Sequence, residues 1–215
     1  MNARSRRKIP GIAVVASLAV LLTGCQAIFT YTPLTALQRS PASLPAAQRL
    51  EYAQNALASG DKTAMAAALL AIQDDPSSAA QYTAAQLGIE VSGVPQLLLA
   101  AVDGTVNFAS GATSITDFLA QNPAVQPDYL IAAANRVAAL STTDPAALQP
   151  MDYVYGALGL ALDAAKQPDG TFNFAAIVPT DPKPVAAQAF INAAIATLSP
   201  TDPTQAFLSA FGGFV

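Results

Sequence analysis

The chain has 215 residues, 53% of them apolar and 11% charged, with a formal net charge of −4. That apolar content excludes an intrinsically disordered chain. There is no histidine and only one cysteine, which excludes Ser-His-Asp and Cys-His nucleophile arrangements and zinc sites built on His and Cys ligands, leaving carboxylate chemistry or oxygen-ligated metal.

Residues 1–24 have the layout of a secretory signal. Arg4, Arg6, Arg7 and Lys8 come first without an acid, Gly11 to Leu22 is an unbroken apolar and small run, and Thr23-Gly24 follow. The run has 12 residues, short of the roughly 20 that a spanning helix needs. The sequence Leu22-Thr23-Gly24-Cys25 resembles the lipobox of bacterial lipoproteins. The resemblance implies a diacylglyceryl (palmitate-type) group on the Cys25 sulfur and cleavage just before it. A lone cysteine has no partner for an internal disulfide, and each buried lipid CH₂ contributes about 0.8 kcal/mol to anchoring. Gln26 stands where an Asp would mark inner-membrane retention. The same resemblance therefore implies a membrane-anchored, cell-envelope location, in the outer membrane facing the periplasm if the host is diderm.

Loss of residues 1–24 removes four of ten basic residues and no acid, leaving six against fourteen and a net charge of −8. That charge argues against nucleic acid, whose binding needs a basic face, and against electrostatic docking on anionic lipid. Residues 25–44 carry the lipidated cysteine and a tether with Pro33 and Pro41. Residues 45–215 form the folded domain, long enough to bury about 70% of its unfolded-chain surface.

From Pro45 onward the apolar period is helical. The stripes run Ala46, Leu50, Ala53, Leu57; then Val94, Leu97, Leu98, Ala101, Val102; then Leu130, Ala133, Ala134, Val137. Met151, Val154, Tyr155, Leu158, Leu162 and finally Ile191, Ala194, Ile195, Leu198 continue them. No stretch alternates with period two, so the expected class is all-α. Gly60 is placed to end one helix with Asp61 capping the next. Ser92-Gly93 ends another, and Pro95 suits the first turn of its successor. Ser114 to Asp117 resembles a capping box. Gly156 and Gly159, one turn apart, predict close helix approach.

Asp75-Pro76, Asp144-Pro145 and Asp202-Pro203 each stand between alanine-rich helical stretches. Asp can accept the first free N–H groups of a helix and Pro fits its first position, so helices are expected to begin within two residues of each Pro, with the Asp as cap. A second motif recurs, Asp103-Gly-Thr-Val-Asn-Phe108 matching Asp169-Gly-Thr-Phe-Asn-Phe174. Together they predict a degenerate unit of about 60–70 residues in a helical-repeat array or solenoid. Tyr52 to Leu87 resembles a tetratricopeptide repeat (TPR): a helix, Gly60-Asp61, a helix lined by Ala64, Ala67 and Ala71, Asp75-Pro76, and a further helix. It departs from the family by one residue between Gly-Asp and Pro. The resemblance implies stacked helix pairs with a concave protein-binding face.

The Asp-Gly-Thr-X-Asn-Phe motif also looks like the middle of an EF-hand calcium loop. The other ligand positions hold Leu99, Ala101 and Ser110, and in the second copy Ala165, Gln167 and Ala176. An Asp-Gly turn that closes a helix and returns Phe to the core is the expected structure, with no metal site and no cofactor. Asp74-Asp75 is read as a solvated residue followed by a helix cap, since paired-acid catalysis needs burial to separate the two pKa values. Arg136 can clamp a carboxylate ligand or pair with a nearby Asp. Tyr129, Tyr153 and Tyr155 can line a pocket or the core.

These features lead to an expected lipoprotein with one TPR-like domain, non-enzymatic, serving as a protein-binding scaffold or adaptor in the envelope. The alternative is a small-molecule or lipid-binding lipoprotein associated with a transporter. The candidate residues are Cys25 for lipidation and Arg136, Tyr129 and Tyr155 for ligand binding.

Overall fold

The structure is a computed structural model that describes residues 40–102, 119 and 122–212. Cys25 and its leader, Asp103 to Phe108, and Ser114 to Asp117 lie outside the described residues. Within them the chain is all-α. Eight α-helices are described: α1 (Ala46–Ser59), α2 (Lys62–Ile72), α3 (Ser78–Ser92), α4 (Val94–Val102), α5 (Pro127–Thr143), α6 (Pro150–Ala165), α7 (Pro182–Thr197) and α8 (Pro203–Phe211). Three short 3₁₀ turns accompany them, one ahead of α1 and two between later helices, and the one extended pairing among the described residues is an isolated bridge between Lys166 and Phe172.

Local chemistry sets most of the boundaries. Gly60 ends α1 at φ 70°, in the left-handed region where a side chain is strained. Asp61 then caps α2, its Oδ1 accepting the N–H groups of Thr63 at 2.8 Å and Ala64 at 3.3 Å. Gly93, at φ 75°, ends α3 just before α4, which carries Pro95 in its first turn.

The Asp-Pro pairs behave less uniformly than expected. At Pro203 an α-helix does begin, and Asp202 Oδ1 accepts the Thr204 N–H at 2.8 Å. At Pro76 the cap is Ser77, while the Asp75 carboxylate accepts the Ser77 N–H at 3.0 Å and shapes the turn before it. At Pro145 there is only a 3₁₀ turn, with no hydrogen bond from the Asp144 side chain. Asp144 has φ −151° and ψ 64°, outside the extended backbone usual for a capping residue. A fourth pair, Asp181-Pro182, opens α7 without a side-chain cap. Pro at the first helical position recurs at Pro127 and Pro150 after glutamine. Proline stands at the first position of α5, α6, α7 and α8, where its missing N–H is one that the helix leaves unpaired anyway, whereas Pro76 and Pro145 open no α-helix.

Packing follows chain order. α1, α2 and α3 pack on one another, α3 on α5, α5 on α6 and α6 on α7; α8 then bridges α7 and α4. One core lies among α1, α2 and α3, built on Ala53, Met65, Ala68, Leu69, Ile72, Ala84 and Leu87. A larger one runs from α3 to α8. In α5 the stripe Leu130, Ala133, Ala134, Val137 is fully buried as expected. In α1 the buried positions are Ala53 and Ala56, whereas Leu50 and Leu57 are half-buried and Ala46 is exposed: at the closest approach only a methyl fits, and the leucines flank it. α6 is buried nearly all round, as a helix clasped between two others must be.

The expected close approach at Gly156 and Gly159 is present. A Cβ on Gly159 would fall 2.5 Å from Ala134 Cβ and 2.6 Å from the Leu130 carbonyl oxygen, so α5 and α6 touch there through backbone. A Cβ on Gly156 would fall 2.7 Å from the Phe190 ring of α7, itself edge-on to Tyr153. The segment after α6 is the expected Asp-Gly turn. Gly170 sits at φ 85°, Asp169 Oδ1 accepts the Thr171 N–H at 2.9 Å, and Phe174 returns to the core.

Candidate functional site

Where α5, α6 and α7 close on glycine and alanine, the other side of the molecule stays open. A cleft of about 400 Å³ lies between the α1–α2 corner (Leu57, Gly60, Lys62, Met65), α3 (Gln86, Ile89, Glu90), α4 (Gln96) and the start of α6 (Asp152, Tyr155). Met65 and Ile89 are buried beneath it, Leu57 forms a half-buried wall, and Lys62 and Gln96 are exposed.

Among the described residues Asp152 is the acid taken furthest out of water, at 6% exposure. It is the third residue of α6, and its Oδ2 accepts the Gln149 N–H at 2.7 Å, one half of a capping box. The Tyr82 hydroxyl of α3 lies near enough to the same carboxylate to lower its pKa as a donor, and the Gln86 side chain acts on that hydroxyl in the same way. Burial raises the Asp152 carboxyl above its ordinary value, against the two hydrogen bonds, which lower it. Tyr155 is raised by burial first and then by the negative charges of Glu90 and Asp152, and Tyr82 by burial and then by Asp152. The cleft therefore holds a negative potential shared by Glu90 and Asp152, with one cation, Lys62, at its mouth.

The structure separates the three ligand-binding candidates. Tyr155 lines this cleft. Tyr129 lines a different hollow of about 570 Å³ with Asp128, Lys166, Gly170 and Phe172. Lys166 and Asp128 form an ion pair there, of the exposed kind worth about 0–1 kcal/mol. Arg136 lines neither. It is half-buried on α5, its Nη1 donates to the Ala132 carbonyl at 3.1 Å, and its Nε is buried with no hydrogen-bond partner among the described residues. Burial lowers the Arg136 guanidinium, with Asp74 acting in the opposite sense. Asp152 and Tyr82 were not among the candidates. The sequence signal at Asp152 is its position three residues after Gln149 at a Pro-started helix; nothing in the sequence joins it to Tyr82.

Among the described residues no group of three or more acidic or cysteine side chains is placed to hold a metal ion, and no helix is long and apolar enough to cross a membrane. Comparison with known protein families, curated proteins and solved structures finds no match for this chain.

Proposed function

We propose that the chain is a bacterial cell-envelope lipoprotein, held to the membrane by lipid on Cys25, whose helical domain is a non-enzymatic scaffold for a partner protein. The observation that carries the binding half is the cleft over Met65 and Ile89: it opens to solvent, five helices contribute to its walls, and its lining mixes apolar and charged groups, as protein-contact sites do. The packing of α1, α2 and α3 on one another supports a TPR-like unit at Tyr52–Leu87, with the Gly60-Asp61 turn where that resemblance puts it. Asp152 is held by the Gln149 N–H as an acceptor, which fits recognition better than proton shuttling. The anchoring half rests on Leu22-Thr23-Gly24-Cys25 after a basic and apolar leader.

The two halves are tested together. Metabolic labelling with a fatty acid is expected to mark the wild type and not Cys25→Ser; equal label on both would sink the anchor. Crosslinking in native membranes followed by pull-down is expected to retain a defined protein that is lost on Glu90→Gln. A co-purifying lipid or solute, with no cleft-dependent protein, would instead support the transporter-associated carrier.

A further inference from the structure

We propose that the cleft between α1–α4 and the start of α6 is a receptor for one basic side chain, a lysine or arginine projecting from the partner protein. This rests on the scaffold reading and gives it a chemistry. The walls and floor at Leu57, Met65 and Ile89 are apolar, and the polar side carries Glu90, Asp152 and Tyr155. A cationic head on an aliphatic stem matches both parts, since such side chains lay the stem on apolar surface and keep the charge at a polar end.

The Asp152 carboxylate is an acceptor on both oxygens, with about four lone-pair positions. The Gln149 N–H occupies one of them, and the Tyr82 hydroxyl lies near. A donor entering the cleft therefore meets a carboxylate already held by the Gln149 N–H. Tyr155 lies in the field of both Glu90 and Asp152, so its ring can face a cation from the side while the acids face it from the end. An anion would meet two carboxylates against one lysine. Lys62, exposed at the mouth, disfavours a run of like charges on the partner, so the site selects a single basic residue rather than a polybasic segment. The domain's own charge of −8 outside residues 1–24 speeds the encounter with such a partner.

The test uses the full chain in detergent and short capped peptides with one central lysine between leucines, titrated by calorimetry. Control peptides carry norleucine or glutamate in place of the lysine, and Nα-acetyl-lysine amide stands for the free amine. The lysine peptide is expected to bind about tenfold or more tightly than the norleucine one, the scale of a charge-assisted hydrogen bond. Glu90→Gln and Tyr155→Leu should each weaken it, Glu90→Gln by roughly tenfold, with the helical circular dichroism unchanged. Asp152→Asn should weaken it as well, and the other two variants keep the test valid if that one fails to fold. Equal binding of norleucine and lysine peptides, tighter binding of the glutamate peptide, or no effect of Glu90→Gln would overturn the proposal. Acetyl-lysine amide binding as tightly as the peptide would overturn its protein source. Capture of an envelope protein that Glu90→Gln leaves untouched would sink this cleft chemistry while the scaffold stands. Lysine-peptide binding without any membrane protein partner would sink the scaffold alone.

Discussion

The two sides of this domain use the same alanine-rich vocabulary to opposite ends. Around α6, small residues are placed at the contacts: Gly159 meets the α5 backbone and Gly156 meets Phe190, and the space between axes disappears. At the α1–α2 corner the chain turns through the left-handed Gly60, and the gap between that corner and α6 carries charged and amide side chains beside its apolar ones. The difference teaches where specificity sits. Close packing of glycine on backbone admits one register and no ligand. A gap ringed by Glu90, Asp152, Lys62, Gln86 and Gln96 leaves the chemistry to whatever enters.

The comparison breaks most visibly at Gly159. Gly159→Ala puts a methyl within 2.6 Å of the Leu130 carbonyl, a backbone atom that cannot rotate away. Overpacking of this kind costs about 1–3 kcal/mol, more than the roughly 1 kcal/mol of helix propensity that alanine gains. Urea unfolding should show net destabilisation, larger than for Gly156→Ala, where the obstacle is a Phe190 ring. A neutral or stabilised Gly159→Ala would mean that α5 and α6 do not meet through backbone.

Next in size is the corner itself. Asp61→Ala removes an acceptor of two helix N–H groups and should cost about 1 kcal/mol. Asp144→Ala removes no cap and should stay within about 0.5 kcal/mol. Thermal melts of the two variants side by side decide it; equal losses would restore Asp144 as a cap.

The smallest effect is read by its sign. The Asp152 pKa is raised in the folded protein, so folding favours its neutral form. Its contribution is full below the ordinary carboxylate value near 3.8 and is lost as pH rises through the folded value. Asp152→Asn cannot ionise, so the variant should gain on the wild type as pH rises across that window. Asp75 and Asp169 are lowered by hydrogen bonds from Ser77 and Thr171. They act in reverse, with stability present above 3.8 and lost as pH falls through their folded values. Chemical denaturation at a series of pH values checks both; a variant that loses ground with rising pH would contradict the burial of Asp152.

The helices and most of their stops were legible in the sequence because each is a local matter. The Leu130-to-Val137 stripe, the Gly60-Asp61 and Ser92-Gly93 corners, the Asp169-Gly170 turn and the Gly156/Gly159 approach all follow from spacing and backbone preference within a few residues. The Asp-Pro pairs misled because neither half starts a helix unaided: Pro76 precedes the Ser77 cap, Pro145 opens only a 3₁₀ turn, and Asp144, whose backbone is not extended, caps nothing. The cleft was largely illegible. Tyr155 was visible as an aromatic, but the neighbour of Asp152, Tyr82, stands on another helix, and Tyr129 and Arg136 fall about two turns apart along α5 and share no hollow.

The central claim is that the cleft, rather than the surface at large, receives a partner protein. A photo-crosslinking residue at Gln96, which is exposed and lines the cleft, can be compared with one at Asn135, which is exposed on α5 and does not. Both are introduced in the full chain, in its own membranes. The account predicts a discrete crosslinked protein species from position 96 that is absent from position 135 and lost with Glu90→Gln. The same species from both positions, or one from 135 alone, would contradict it.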